Sequence, residues 1–569
     1  MREVIESLVT AALQSAVDSG QVRLATLPDP AVERPRDLTN GDWATSVALR
    51  SAKAAGMSPR ELARILADQI AEHPDVESVE VAGPGFINLR LSSEALQRVL
   101  RTVHAQGAAY GGSNVGDGRR VQVEFVSANP VGPMHVGHGR WAALGDSMAR
   151  ILEHAGYEVQ REFYVNDAGV QMDTFAKSVA ARYLELCGRS VDFAPDWYQG
   201  AYIADIAREI FDAEGAVWAD AEPAERESRF KEIAYRQVLE HLKVVLHGMG
   251  VDFDVWFSER TLHVSGADGI TAVEAAIDTL RAAGYIYEKD GAIWFRTTDF
   301  DDDKDRVLRK SDGSYTYFAA DIAYHKNKFD RGFDRVIDIW GADHHGYVKR
   351  MEAAVAALGN PGKLTVVIGQ LVNLFRGGEV VRMSKRTGEM VTFEDLLDEV
   401  GADAARYFFL RRSTDQPLDF DIALAKEQSN DNPVYYVQYA HARICSILRK
   451  ASGADTADES VDIAAIAETL IASDASLELL STGAELTLMR KLAELGEVVE
   501  VAVDQLAPSK LTHYAEDLAA TFHQFYALCR VVDPENAPLT AARLYAVDAT
   551  RIVLANVLML VGVSAPERM

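Results

Sequence analysis

Residues 121 to 151 constrain the fold of this chain more than any other stretch. Val121-Gln122-Val123-Glu124-Phe125-Val126 reads as a buried strand, and the loop after it is broken by Pro130, Gly132 and Pro133. From Gly137 onward, apolar residues recur at helical spacing through Trp141, Leu144, Met148 and Ile151. A strand that passes through a tight loop into a helix start is the opening unit of a nucleotide-binding α/β sheet, since unpaired N–H groups at the helix N-terminus attract phosphate. Further strand candidates occur at Tyr285-Ile286-Tyr287, Ala292-Ile293-Trp294-Phe295, Val336-Ile337-Asp338-Ile339-Trp340 and Leu364-Thr365-Val366-Val367-Ile368, separated by helical stretches. The alternation predicts an α/β, doubly wound parallel sheet of Rossmann type.

This sheet cannot be the whole protein, because single cores stop growing well below 569 residues. Residues 1–112 begin with helical periodicity and reach the alternation Val79-Glu80-Val81. A Gly83-Pro84-Gly85 turn then leads into Phe86-Ile87-Asn88-Leu89-Arg90-Leu91, the pattern of a small α+β module. The glycine-rich stretch from Gly107 to Gly118 is the expected connection out of it. Residues 113–428 hold the sheet, with a helical insertion near 183–250. Beyond 428 the strand signals end and helical periodicity predicts an all-α unit over 429–569.

Composition bounds the function. With 48% hydrophobic and 25% charged residues the chain matches globular proteins. Acids interrupt the apolar N-terminal stretch, so no secretory signal is read there. The apolar run Ile552–Val563 is broken by Asn556 and is too short to span a bilayer, for which about 20 residues are needed. A cytoplasmic protein with no membrane contact is expected. Cys187, Cys445 and Cys529 form no CxxC pair and read as buried thiols; no protein-held metal site is expected. The net charge of −27 argues against general attraction to nucleic acid, so any RNA contact would need local basic faces.

Two segments carry chemistry. In Ser127-Ala128-Asn129-Pro130-Val131-Gly132-Pro133-Met134-His135-Val136-Gly137-His138, two histidines flank a glycine at a helix start. Gly137 lets backbone approach a flat base, and the imidazoles can donate to phosphate oxygens as charge develops. Alone, the pair reads equally well as helix-capping or metal-binding histidines. The second segment, Arg382-Met383-Ser384-Lys385-Arg386, could neutralise a departing pyrophosphate; alone it reads first as a solvated basic loop. No GxxxxGK[ST] sequence offers a competing ATP site.

Taken in order, the two segments resemble the HIGH and KMSK signatures of class I aminoacyl-tRNA synthetases. The flanks narrow the resemblance to arginyl-tRNA synthetases. They are Val123–Pro130, Tyr164-Val165-Asn166-Asp167-Ala168-Gly169, Asp252-Phe253-Asp254-Val255-Trp256, Tyr315–Asp321, Asp548-Ala549-Thr550-Arg551 and the ending Gly562–Met569. The likeness runs the length of the chain. Arg382 stands where the signature has its first lysine, which preserves charge but not hydrogen-bonding geometry.

That resemblance implies ligation of L-arginine to tRNA(Arg) through an arginyl-adenylate, with ATP as substrate and Mg²⁺ shielding the phosphates. It implies catalytic roles for His135, His138 and Lys385, and ATP contacts from Pro133, Met134, Gly137, Arg382, Met383 and Ser384. A guanidinium needs paired carboxylate acceptors. By resemblance Glu124 and Asp321 supply them, with Tyr317 beside Asp321 at helical spacing and Asp343 at the edge. Ser127 and Asn129 would meet the substrate's amino and carboxylate ends, although both also suit a turn beside Pro130. In the C-terminal unit Tyr435, Tyr439 and Arg443 interleave rings with a cation, as anticodon stacking requires, or form a core stripe. The N-terminal module resembles the family's domain that meets the tRNA elbow. A monomer is expected.

The main rival is a metal-dependent phosphoesterase, whose Asp-His-His motif Asp343-His344-His345 reproduces. Such enzymes need further aspartates at the first strand, and Val121–Asn129 has none. A third reading, a synthetase-like protein without catalysis, is opposed by the retention of His135, His138 and Lys385.

Overall fold

The computed structural model describes residues 1–35, 37–381, 391–454, 462–471 and 475–569. Five parallel strands form the central sheet: β1 (Arg120–Glu124), β2 (Glu158–Val165), β3 (Val255–Ser258), β4 (Arg335–Gly341) and β5 (Leu364–Gly369). Their spatial order is β5-β4-β1-β2-β3. The chain steps outward from β1 in one direction and then returns to the other side. This leaves a crevice where the winding reverses, between the C-terminal ends of β1 and β4. Helix α1 (Val136–His154) leaves β1 at that crevice, and helix α2 (Tyr317–Asp330) precedes β4.

Register places three acids in a row: Glu124 on β1 lies opposite Asp338 on β4 and Glu162 on β2. Residues in register on neighbouring strands share a face, so all three carboxylates point to one side of the sheet. All three are buried.

One sequence expectation is corrected. The segments at 285–287 and 292–295 do not join the parallel sheet. Ile286–Lys289 and Ala292–Phe295 are antiparallel and extend with Arg306–Arg309 into a separate three-stranded sheet. The two-residue turn Asp290-Gly291 explains it. Both residues have positive φ, 53° and 74°, a geometry that closes a hairpin, whereas parallel strands need a long crossover.

Between β2 and β3 come the helices Val170–Leu186, Ala201–Glu214 and Pro223–Gly248, so the helical insertion starts earlier than its sequence signal. The N-terminal unit is a four-stranded antiparallel sheet, Val32–Glu33, Trp43–Thr45, Phe86–Leu91 and Val76–Ala82 in spatial order, covered by helices that include Arg2–Asp18 and Pro59–Ile70. Beyond residue 428 the described residues form helices and no strand, among them Pro433–Ser452, Ser509–Leu528 and Ala537–Leu560. Cys445 and Cys529 are buried, while Cys187 is only half-buried. Among the described residues no helix is long and apolar enough to cross a membrane.

A buried guanidinium fastens these parts. Arg406 donates to Asp146 on α1 (2.5 Å), to the Val561 carbonyl at the end of the last helix (3.1 Å) and to the Met249 carbonyl before β3 (3.1 Å). The N-terminal unit is tied to the C-terminal helices by Arg34–Glu497 (2.7 and 3.0 Å) and Arg490–Asp42 (2.6 Å). Breaking a buried, fully bonded ion pair typically costs about 3–5 kcal/mol. Arg406→Met should therefore lower the midpoint of the first unfolding transition in a denaturant titration, by far more than loss of the exposed pair Arg2–Glu6 does.

Candidate active site

His135 sits at the N-cap of α1, and its backbone N–H donates to Nδ1 of His138 (3.2 Å). That acceptor role places the His138 proton on Nε2. The two imidazoles stack with centroids 3.7 Å apart, and Trp141 meets both edge-on. The histidines are thus held as one unit at a helix N-terminus, where anion binding is favoured. Gly137 lies under the His135 ring, since a Cβ there would fall 2.9 Å from it. The loop before α1 is strained: Val126 has φ 69° and Ser127 φ 44°. A β-branched residue at positive φ is a true outlier, and such strain gathers at functional sites.

The segment Arg382–Lys385, which sequence analysis assigns to ATP, lies outside the described residues. Its downstream flank is placed. Thr392 pairs with His135 as an isolated β-bridge, and the Phe393 N–H donates to the Met134 carbonyl (2.9 Å). Two segments far apart in sequence therefore meet at the start of α1.

Behind the crevice lies the row of acids. Ser127 Oγ donates to Glu124 Oε1 (2.8 Å), and Lys328 Nζ donates to Glu124 Oε2 (2.5 Å) and Asp338 Oδ1 (2.8 Å). His325 lies between Asp338 Oδ2 and the Asp321 carbonyl, 2.8 Å from each. Glu162 accepts two bonds from Arg331 (2.6 and 2.9 Å) and one from the Tyr324 hydroxyl (2.7 Å). Burial raises the Glu124 carboxyl above the usual range, and Lys328 works against that rise. Burial also acts against charge on Asp338, but Lys328 and His325 outweigh it and hold Asp338 at about 2. Asp321 is pushed up to about 6 by burial, although the Tyr347 hydroxyl donates to it (2.5 Å).

The other expected residues are dispersed. Asn129 donates to Gln171 (2.7 Å). Tyr317 opens α2 and is 73% exposed, whereas Asp321, one turn further along the same helix, is half-buried. Asp343 lies in the short helix Ala342–Tyr347 beyond β4, exposed and 3.5 Å from His344; it forms no hydrogen bond or ion pair with Glu124 or Asp321. Tyr347, Lys328, Asp338 and His325 escaped the sequence reading. Asp321, His325 and Lys328 are spaced i, i+4, i+7, a helical stripe that was legible. Tyr347 offered no such signal.

In the C-terminal unit, Tyr435 and Tyr439 stack 6.0 Å apart and remain half-buried. Arg443 donates to the Tyr439 hydroxyl (2.6 Å) and covers its ring at 4.6 Å, with His523 and Tyr526 alongside. The rings form a surface cluster rather than a core stripe.

A parallel sheet with its crevice at a strand switch, a paired-histidine helix start and a helical C-terminal unit define a class I aminoacyl-tRNA synthetase. Family models match residues 3–91 (arginyl tRNA synthetase N terminal domain), 99–421 (tRNA synthetases class I (R), catalytic domain) and 437–569 (DALR anticodon binding domain). An arginine–tRNA ligase of Heliobacterium modesticaldum is 50% identical over 570 residues, covering 100% of this chain and 99% of its own length. One of Moorella thermoacetica is 49% identical, covering 99% and 98%. The Thermus thermophilus arginyl-tRNA synthetase structure superposes over 100% of both chains with a TM-score of 0.73 at 22% identity, a likeness of fold. The chain belongs to the arginyl-tRNA synthetases.

Gly139 makes the contact between the first signature and Thr392–Phe393 testable. A Cβ there would fall 2.3 Å from the Phe393 ring. Gly139→Ala should displace Phe393 and Thr392 from the His135 loop, lowering ATP turnover at least about tenfold, the scale expected when catalytic groups shift by an ångström. Equilibrium arginine binding should change much less, as measured by calorimetry.

Proposed function

We propose that the crevice between β1 and β4 activates L-arginine with ATP and that the activated residue is passed to tRNA(Arg). The observation that carries this reading is the buried Glu124 at the end of β1, with the half-buried Asp321 on α2, and the stacked His135–His138 pair at the start of the helix that leaves β1. Acceptors for a cation and donors for phosphate then converge on one crevice. The arginine carboxylate attacks the ATP α-phosphate, pyrophosphate leaves, and the 2′-hydroxyl of the terminal adenosine then takes the arginyl group as AMP departs.

In this reading His135 and His138 steady the transferring phosphate, Lys385 acts on the pyrophosphate side, and Pro133, Met134, Gly137, Arg382, Met383 and Ser384 line the nucleotide. Glu124, Asp321 and Tyr317 hold the guanidinium end, with Ser127 and Asn129 at the amino-acid end and Asp343 at the rim. Mg²⁺ shields the phosphates of ATP and enters with the nucleotide as part of the substrate. Tyr435, Tyr439 and Arg443 receive anticodon bases, and residues 1–112 meet the tRNA elbow. The free thiols suit a cytoplasmic protein, and we take it to act as a monomer.

ATP–pyrophosphate exchange with arginine, run with and without cognate tRNA, tests the reading; absence of exchange under both conditions overturns it. Asp321→Ala should cripple arginine use while largely sparing ATP binding, and equal loss of both would mean the residue is misplaced. The Asp321 carboxyl at about 6 adds a pH dependence. Its charged form accepts the guanidinium, so arginine affinity should rise with pH and level off above 6. Below that it should fall by up to about tenfold per pH unit, and Asp321→Asn should flatten the profile. Arg443→Ala should weaken tRNA binding about tenfold, the scale of one lost charged or stacking contact, without changing arginine affinity.

A further inference from the structure

We propose that Lys328 is a positioning residue for arginine recognition: from beneath the crevice it holds the Glu124 carboxylate ionised and turned toward Ser127. The inference rests on the reading that Glu124 receives the substrate's positive charge. It deepens that reading by assigning the task to a residue that is fully buried and has no access to the substrate itself.

Geometry carries the argument. Lys328 Nζ reaches Glu124 Oε2 and Asp338 Oδ1 at once, and its charge lies 4.4 Å from the Tyr324 ring. One oxygen of Glu124 is therefore committed to Lys328. The other accepts from Ser127, whose Oγ also accepts from the Tyr164 N–H (3.2 Å). With both oxygens fixed, the carboxylate cannot rotate away from the crevice. The balance of charge points the same way. Glu124 is faced by Lys328, His325, Tyr324 and Asp321 from α2, by Asp338 from β4, and by Tyr164 and Glu162 from β2; Arg331 is bound to Glu162. Among the described residues, Lys328 is the one lysine or arginine that pairs with Glu124. Without it, a buried carboxylate beside Asp338 would take up a proton, turning an acceptor for a guanidinium into a donor.

Arginine binding to the full-length protein, measured by calorimetry from pH 6 to 9, tests this. Lys328→Met should raise the dissociation constant at pH 7 by about tenfold or more, the scale of a lost charged hydrogen bond, while ATP affinity changes less than about threefold. Its affinity should recover as pH rises and Glu124 ionises, where the wild type is flat above pH 7. Lys328→Arg should remain within about threefold of wild type. Lys328→Met/Asp338→Asn removes one charge of each sign and guards against simple loss of folding. It should fold and still bind arginine weakly. Wild-type arginine affinity in either Met variant overturns the inference, as does a pH-independent loss shared equally by ATP. Glu124→Gln separates the two levels: if it leaves arginine affinity unchanged, the reading of Glu124 itself fails, whereas weak binding by Glu124→Gln with normal binding by Lys328→Met sinks only the role of Lys328.

Discussion

Three carboxylates side by side across adjacent strands, Asp338, Glu124 and Glu162, are the constraint around which the catalytic domain is arranged. Burying an ion costs on the order of several kcal/mol, and like charges at sheet spacing add to the cost. The row persists because α2 and the residue after it set cations over it, Lys328 on the first two acids and Arg331 on the third. Helix, sheet register and crevice depend on one another. A one-residue slip of β1 would turn Glu124 to the opposite face and leave Lys328 facing Val123 or Phe125. The arrangement is thus a register lock as well as the floor of the site.

Much of the site was readable from sequence, and what was hidden follows a pattern. The first strand, the helix of the paired histidines and the all-helical end announce themselves through periodicity, which is a local property. The separate hairpin at 286–295 was read as part of the parallel sheet because its segments have the same β-forming composition; only Asp290-Gly291 distinguishes the two outcomes. Glu124 and Asp321 could be assigned by motif, and Lys328 lies on a legible helical stripe with Asp321, but Asp338 and Tyr347 could not be assigned. Asp338 sits inside an apolar run and reads as an interruption until register brings it opposite Glu124. Tyr347 reaches Asp321 from another element, a contact that no spacing along the chain encodes.

The negative sum of the whole molecule has to be overcome locally where RNA binds. Many acids are already committed: Glu153 and Asp146 to Arg161, Glu516 to Arg411, Glu567 to Arg449, Glu399 to Arg376 and Lys426. Each such pair cancels one charge of either sign and leaves the surplus of 85 acids over 58 lysines and arginines as it was, so attraction to RNA has to come from cations that no acid neutralises. At the aromatic cluster around Arg443 the partners are rings and an imidazole rather than carboxylates, so its positive charge is not spent on an acid.

Val126 and Ser127 place the start of the site in a conformation that the chain would not choose for itself. Glycine at Ser127 would relax the turn and gain roughly a kilocalorie per mole of stability, whereas at Val126 it would also empty a buried side-chain site and lose that gain. The same change would soften the support beneath Glu124. At Ser127, therefore, robustness and activity pull apart. Selection for thermal endurance alone would tend to erode this turn first.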